Sequence, residues 1–247
     1  MVLRRTIPFF AIHATNSFLM PCHKVLPRLY MSSTTEFTPR QKKMASFISS
    51  QHINLIVATG PAGTGKTFVS CNTGKELLKE KVIDKILITR PSVTLEDEDL
   101  GFLPGDLQEK FSPFTKPVFE YLNDPFFSSK LKSGQIEASP LGFLRGRTFH
   151  NTLVIADEMQ NATPKQILML LTRLGQNSKI IITGDVSQCD LDEEKEDGLS
   201  HLLNLLEQKY ALYKDMLDDG IATVEMNTDD CKRSVFVKNI IELYKEN

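Results

Sequence analysis

Three short segments of the sequence carry residue types that bind or hydrolyse phosphate esters. The first, GPAGTGKT at residues 60–67, matches the pattern G-x-x-x-x-G-K-[ST]. Glycines let the backbone wrap a phosphate so that successive N–H groups face its oxygens. Lys66 then reaches the β- and γ-phosphates of ATP, and the Thr67 hydroxyl binds Mg²⁺. The predicted nucleotide-binding residues are Gly60, Pro61, Ala62, Gly63, Thr64, Gly65, Lys66 and Thr67.

The second segment is the apolar run at residues 153–156, which ends in the paired acids Asp157 and Glu158. At the carboxyl end of a parallel strand, Asp157 is expected beside the glycine loop, where it holds Mg²⁺ through water. Glu158 would then orient or deprotonate the attacking water. By itself, an apolar run followed by two acids is often only a strand that ends at the protein surface. The glycine loop upstream is what favours a metal-binding and catalytic role for these acids.

The third segment, TGDVSQ at residues 183–188, again follows directly on a buried run. Gln188 can bond both the γ-phosphate and the attacking water, and it would report whether ATP or ADP is bound. The same residues alone would be an unremarkable turn. The predicted catalytic residues are Lys66, Glu158 and Gln188, and the predicted metal ligands are Thr67 and Asp157.

These segments require a sheet that brings distant turns to one edge. From Glu36 onward, apolar runs alternate with helix-like stretches, which predicts an α/β fold with a mostly parallel sheet and helices on both faces. Strands are expected at residues 54–59, 86–89, 136–138, 153–156, 179–183 and 222–226. Helices are expected at residues 66–80, 107–122, 164–174, 198–206 and 234–244. A further short helix begins with Thr38 as its N-cap and Pro39 at its first position.

Length and composition suit one domain of residues 36–247 behind an extension of residues 1–35. The chain has 247 residues, too few for a second full α/β domain. The extension holds four of the 29 Lys and Arg residues and no acid, a composition typical of a mitochondrial transit peptide. An ordinary disordered tail, with the protein in the cytoplasm, is the alternative. The four widely spaced cysteines suggest neither a zinc site nor a disulfide framework.

The three loops taken together resemble the PhoH-like family of P-loop ATPases, which are similar to the first RecA-like half of superfamily one helicases. Further matching segments are ITRPSV at 88–93, LGFLPGDLQEK at 100–110, FLRGRTFHN at 143–151 and LTRLG at 171–175, so the resemblance covers about residues 38–244. It implies a RecA-like P-loop NTPase fold that uses ATP and Mg²⁺. It also implies that Gln41 reads the adenine edge, and a solvent-facing helix residue is the alternative there.

The sequence departs from the family pattern in two places. Ala156 and Met159 replace the more usual LDEA form of the acid motif, and Asp157 and Glu158 remain. Arg233 stands where the family has an arginine, but its neighbours differ. The family's γ-phosphate role is therefore not carried over to Arg233.

A single RecA-like domain needs an arginine finger from elsewhere, so the resemblance implies a homo-oligomeric ring with an arginine supplied in trans. The candidates are Arg90, Arg145, Arg147, Arg173 and Arg233, each of which could instead be a plain surface arginine. Family members resemble RNA-associated ATPases, so RNA and an RNA-processing protein are expected partners, with Arg90, Arg145 and Arg147 on the RNA backbone. No membrane association is expected.

Three functions are compatible with these observations. The leading hypothesis is an ATPase that couples hydrolysis to remodelling of RNA or an RNA–protein complex. A second is a non-catalytic, ATP-gated adaptor for an RNA-processing partner. A third is a P-loop kinase for a small metabolite, although such kinases do not place GDxxQ after a strand.

Overall fold

The computed structural model describes residues 36–91, 125–191 and 197–231. Its strands form one six-stranded sheet in the order β3-β2-β4-β5-β1-β6, and every pairing in it is parallel. The strands are β1 (Leu55–Thr59), β2 (Lys85–Thr89), β3 (Ile136–Ala138), β4 (Thr152–Ala156), β5 (Lys179–Gly184) and β6 (Ile221–Glu225). The predicted α/β fold with a mostly parallel sheet is therefore confirmed.

Six α-helices belong to the described residues. They are α1 (Pro39–Ser49), α2 (Lys66–Lys79), α3 (Pro125–Lys132), α4 (Pro164–Leu171), α5 (Gly198–Lys209) and α6 (Tyr213–Asp218). Short 3₁₀ turns lie at Leu141–Leu144, Met159–Asn161 and Thr228–Asp230. In the part of the chain that the structure describes, no helix is both long and apolar enough to cross a bilayer.

Local sequence explains where α1 and α4 begin. Thr38 and Thr163 are N-caps that accept from the backbone N–H of Gln41 and Gln166, and both glutamines bond back to complete capping boxes. Each helix also has a proline in its first turn, where the missing N–H costs nothing. The predicted roles of Thr38 and Pro39 are confirmed.

The core lies on both faces of the sheet because successive strand residues point to opposite sides. On β2, Ile86 and Ile88 face the layer that holds α1 and α2, whereas Leu87 faces the layer that holds α4 and α5. All three are fully buried. Apolar residues run without alternation through the middle of the four inner strands, β1, β2, β4 and β5, as a sheet covered on both faces requires.

Several predicted element ends shift by a few residues. The helix expected at residues 164–174 ends at Leu171, and the one expected at 198–206 continues to Lys209. The strand expected at residues 222–226 lies one residue earlier, at Ile221–Glu225. Helices α3 and α6 were not predicted from the sequence. The helices expected at residues 107–122 and 234–244 lie outside the described residues.

The strand register places the ends of several strands at one edge of the sheet. Thr59 pairs with Gly184 and with Glu225, and Thr89 pairs with Ala156. The residues that follow β1, β2, β4 and β5 therefore leave the sheet together. The sequence predicts this convergence of the three loops, and the topology adds a fourth position, after β2.

Candidate functional site

The glycine loop at residues 60–65 joins the end of β1 to the first residue of α2. Gly60, Gly63 and Gly65 all have positive φ angles, of 131°, 82° and 88°. A Cβ on Gly60 would lie 2.1 Å from the carbonyl oxygen of Met226, so any larger residue there would displace the chain after β6. The loop thus has the strand–loop–helix setting that its sequence requires.

Lys66 reaches back across this loop. Its Nζ donates to the carbonyl oxygens of Gly60, at 2.5 Å, and Pro61, at 3.0 Å. Burial lowers the pKa of Lys66, and the charges of Asp185, Glu158 and Asp157 oppose that shift. An ammonium surrounded by loop carbonyls and acids occupies the position where an anionic ligand would be neutralised.

Asp157 is the most heavily hydrogen-bonded acid of the site and is only 2% exposed. Its Oδ1 accepts from the hydroxyls of Thr67, at 2.9 Å, and Thr183, at 2.5 Å. Its Oδ2 accepts from Nε and Nη2 of Arg90, at 3.1 and 2.5 Å. The expected proximity of Asp157 to the glycine loop is found, although β5 lies between β4 and β1.

Glu158 follows with a backbone φ of 56°, in the left-handed region that residues other than glycine rarely adopt. Its side chain is exposed, and Oε2 accepts from Nε2 of Gln160 at 2.8 Å. Gln160 is 2% exposed, and its Oε1 accepts from the backbone N–H of Asp185 at 3.1 Å. The sequence analysis did not identify Gln160, since only side-chain contacts reveal its connection to Glu158.

The third loop leaves β5 beside these residues. Asp185 Oδ1 accepts from the backbone N–H and the hydroxyl of Ser187, at 3.1 and 2.6 Å. Its Oδ2 is buried and has no hydrogen-bond partner among the described residues. Gln188 is exposed, and its N–H donates to the carbonyl of Asp185 at 2.9 Å. The charge of Asp185 acts on Lys66, which relates this loop to the glycine loop.

Gln41 is buried, with 3% exposure, so the alternative of a solvent-facing helix residue is wrong. Its Nε2 donates to the carbonyl oxygens of Thr64, at 2.9 Å, and Asp230, at 3.3 Å. Its Oε1 accepts from the backbone N–H of Thr38 at 3.1 Å. Gln41 therefore contacts the glycine loop directly, with both amide N–H groups in use and one oxygen lone pair to spare.

The candidate arginines differ in their surroundings. Arg90 bonds Asp157, and Arg147 donates to both carboxylate oxygens of Glu137, at 2.7 and 3.0 Å. Arg145 is exposed, and Arg173 is half-buried with a contact from Nη2 to the Thr172 hydroxyl. Arg233 lies outside the described residues. Arg90 and Arg147 are thus held by acids of their own chain.

These residues fit ATP with Mg²⁺. The positive-φ glycines and the helix N-terminus suit a phosphate, and the orphaned Oδ2 of Asp185 leaves an acceptor for a bound species. Hydroxyl and carboxylate oxygens are the ligands that Mg²⁺ prefers, and Thr67 and Asp157 bring one of each together. The described residues contain no group of three or more His, Cys, Asp or Glu side chains that could hold a metal by themselves.

Solved structures that resemble this one differ widely from it in sequence. A large terminase from a thermophilic bacteriophage gives a TM-score of 0.49 at 14% identity, over 84% of this chain and 49% of that one. The Pif1 helicase from Candida albicans gives a TM-score of 0.39 at 15% identity, over 78% and 39% of the two chains. At these values neither likeness bears on function.

Sequence relatives are much closer. Protein PhoH of Escherichia coli K12 is 41% identical over 196 residues, which are 77% of this chain and 52% of that protein. A PhoH-like protein of Bacillus subtilis is 44% identical over 77% of this chain and 58% of its own. A PhoH-like protein of Synechocystis is 36% identical over 95% of this chain and 71% of its own. The chain thus spans just over half the length of the first two relatives. Residues 34–245 match the PhoH-like protein family, and the chain belongs to that family.

Proposed function

We propose that this protein hydrolyses ATP and couples the reaction to remodelling of RNA or of an RNA–protein complex. The proposal of ATP hydrolysis is supported above all by the hydrogen bond from Thr67 Oγ1 to Asp157 Oδ1, at 2.9 Å. It joins the glycine loop to the acid-bearing strand across β5. The RNA part rests on the resemblance of the three loops to the first RecA-like half of superfamily one helicases.

Each residue of the site has a separate role in the proposed hydrolysis. The backbone N–H groups of the glycine loop and Lys66 bind the phosphates, and Thr67 and Asp157 would hold Mg²⁺. The bound metal would supply positive charge that offsets the charge of the phosphates. Glu158 orients the attacking water or takes its proton. Gln188, which is exposed on the third loop, senses the γ-phosphate.

The test is phosphate release by the purified full chain, with and without RNA, beside nucleotide binding measured separately. Wild-type protein is expected to release phosphate to water, faster with RNA. Glu158→Gln is expected to bind ATP with similar affinity and to lose at least about a hundredfold in kcat, the range that general base catalysis supplies. ATP binding without turnover under either condition would contradict the proposal. Phosphate transfer to a metabolite, seen by mass spectrometry, would indicate a kinase instead.

The adaptor hypothesis needs a separate experiment in cells. Glu158→Gln should abolish the cellular role if hydrolysis is what matters. If the role survives that substitution but is lost with Lys66→Ala, nucleotide binding alone is sufficient and the ATP-gated adaptor is correct.

We further propose that the active form is a homo-oligomer in which one subunit supplies an arginine to the next. Arg145 and Arg173 are the described candidates that are not paired with an acid in the contacts above. Mixing a Lys66→Ala subunit with an Arg145→Ala or Arg173→Ala subunit should restore turnover if the arginine acts in trans. An arginine finger is worth about 10³–10⁵ in rate, so the restored activity is easily measured. Mixtures as inactive as their components would contradict the proposal.

The basic, acid-free residues 1–35 support a proposal of mitochondrial import. A reporter protein fused to these residues should co-localise with mitochondria. Replacing Arg4 and Arg5 with Glu should prevent this, because import signals require positive charge. A fusion that stays in the cytoplasm would contradict this proposal without affecting the hydrolase.

A further inference from the structure

Gln160 occupies the middle of the 3₁₀ turn Met159–Asn161, directly after the paired acids. Its amide spans two loops: Nε2 donates to Glu158 at 2.8 Å, and Oε1 accepts from the backbone N–H of Asp185 at 3.1 Å. Gln160 is 2% exposed, so water cannot readily replace its bond to the buried N–H of Asp185. The side chain is thus a buried connection between the second and the third loop.

The orientation of this amide is determined by its partners. The N–H of Asp185 can only donate, and an ionised Glu158 carboxylate can only accept. A flipped amide would face both partners with the wrong group, so only one orientation of the amide makes these bonds. The backbone holds the loop as well, since the Gln160 carbonyl accepts from Cys189 Sγ at 3.3 Å.

The packing around Gln160 leaves it little freedom. A Cβ on Gly184 would lie 2.7 Å from Gln160 Oε1 and 3.2 Å from its backbone nitrogen, so the third loop begins in contact with Gln160. Glu158, by contrast, is exposed and has its backbone in the left-handed region. Without the bond from Gln160, its carboxylate would be free to sample several rotamers.

We propose that Gln160 is a positioning residue that holds the Glu158 carboxylate and the loop of residues 185–189 as one unit. The inference rests on the proposed hydrolysis, in which Glu158 acts on water and Gln188 senses the γ-phosphate. Movement of the loop with nucleotide state is then transmitted to the carboxylate through one amide. Gln160 binds neither phosphate nor metal, so nucleotide affinity does not depend on it.

The experiment compares two variants with wild type in full-length protein. Gln160→Glu keeps an acceptor for the Asp185 N–H but places a second carboxylate against Glu158. Gln160→Met keeps the length of the side chain and loses both bonds. Both should lower kcat by about tenfold or more, part of what a positioned base supplies, with the Kd of a fluorescent ATP analogue within about threefold of wild type.

Asn161 offers a matched control in the same turn. Its amide pairs with Asp190 in the same two-bond manner, with Nδ2 donating to the carboxylate at 3.1 Å and Oδ1 accepting from the N–H at 2.8 Å. Asn161→Asp therefore introduces a comparable carboxylate repulsion without touching Glu158. It should leave kcat close to wild type.

Three results would overturn the inference while leaving the hydrolase intact. The first is wild-type kcat in both Gln160 variants. The second is an equal loss of kcat in Asn161→Asp, and the third is a parallel loss of kcat, nucleotide affinity and thermal stability in the Gln160 variants, since either of these indicates a structural role. A wild-type protein without turnover in the same assay would overturn the proposed function and this inference together.

Discussion

Lys66 carries a largely buried charge that is expected to bind phosphate. Burial lowers its pKa, while three acids stabilise the ammonium. In the folded protein its hydrogen bonds go to Gly60 and Pro61, carbonyls of the loop that it serves. A charged lysine in this position favours the binding of an anion. In the absence of an anion, it lowers the stability of the folded protein.

Lys66→Met should therefore abolish the binding of ATP without lowering the stability of the nucleotide-free protein. A folded-state pKa below the unfolded value means that the charged lysine lowers the free energy of unfolding at neutral pH. Without nucleotide, the melting temperature of the variant should equal or exceed that of wild type. With ATP and Mg²⁺ at a hundred times Kd, wild type should gain about 2.7 kcal/mol and the variant nothing.

Thermal unfolding with and without nucleotide measures both effects. Lys79→Met, an exposed position on the same helix, is the control and should gain stability from ATP as wild type does. A clear loss of stability in Lys66→Met without nucleotide would show that the two loop hydrogen bonds outweigh the cost of burying the charge.

Arg90 should compete with Mg²⁺ for Asp157, because its Nε and Nη2 both donate to the carboxylate that is expected to hold the metal. Arg90→Met leaves a buried carboxylate without its cation and should cost about 3 kcal/mol of stability without nucleotide. Saturating Mg²⁺ and ADP should restore more stability to the variant than to wild type, as measured by unfolding in a Mg²⁺ titration. Arg145→Met, at an exposed arginine, is the control. Equal Mg²⁺ dependence in wild type and Arg90→Met would rule out the competition.

Residue types and spacing predict the groups that act on phosphate, because those groups must have fixed chemistry at fixed offsets. Lys66, Thr67 and Asp157 are found together as expected. The contacts of Arg90, Thr183 and Gln160 could not be predicted, since they depend on side-chain directions at the ends of three strands. The burial of Gln41 contradicts the alternative of a solvent-facing helix residue. Its role in reading the adenine edge stays a prediction.

At the scale of elements, the edge strand β3 depends on one charged group. Glu137 on β3 is paired with Lys85 on β2 and with Arg147, whose two bonds hold the segment after the 3₁₀ turn Leu141–Leu144. The hydrogen bond from Arg147 is the main cause that lowers the pKa of Glu137 to about 2, with Lys85 contributing. Among the described strands, β3 has three residues and pairs with β2 alone.

Glu137→Gln should destabilise the protein in a pH-dependent way. A folded-state pKa of about 2, against an ordinary value of 4.5, means that the stabilisation is complete above pH 4.5 and is lost as the pH falls toward 2. Because Glu137 is partly exposed, the loss at pH 7 should be about 1 kcal/mol. Urea unfolding at pH 7 and at successively lower pH should show the difference from wild type shrinking.

Glu76→Gln is the comparison for that experiment, because Glu76 is paired with Lys79 on an exposed helix surface. Its effect on the free energy of unfolding should be smaller than that of Glu137→Gln at pH 7. A gap between Glu137→Gln and wild type that stays constant down to pH 2 would mean that the carboxylate charge is not its source.

Elements with strong apolar runs were predictable, and those without them were not. The six strands are found within one residue of the ends expected. The four inner strands were the most predictable, since a strand buried on both faces has a continuous apolar sequence. Helix α6 was missed because only Met216 among its six residues is buried, too short an element for a helical period. The order of the strands could not be derived, since apolar runs do not specify their neighbours.

At the scale of the whole molecule, α1 is anchored at both ends to distant parts of the chain. Near its C-terminus, Lys179 on β5 donates to the carbonyls of Ser50 and Ile53. At its N-terminus, the Thr38 hydroxyl donates to Asp230 Oδ1 at 2.5 Å. Between these anchors, Gln41 contacts Thr64 of the glycine loop. The position of α1, and with it part of the nucleotide site, thus depends on residues near the last described turn.

Asp230→Ala tests this dependence. Asp230 is fully buried, and besides Thr38 its carboxylate accepts from the N–H of Asn227 at 3.0 Å and pairs with Arg40 at 3.5 Å. Removing it takes the acceptor from two half-buried donors, the Thr38 hydroxyl and the Asn227 N–H, which should cost about 2 kcal/mol of stability. Gln41 would also be less firmly held, so ATP should bind more weakly at a temperature where the variant is fully folded.

The control is Asp229→Ala, since Asp229 is exposed and adjacent in sequence, and it should change neither stability nor ATP affinity. Chemical unfolding and titration with a fluorescent ATP analogue measure the two quantities. If Asp230→Ala loses stability but binds ATP as wild type does, then α1 is an anchor of the fold alone. If both fall, the connection from Asp230 through Gln41 to Thr64 is how the far end of the chain supports the nucleotide site.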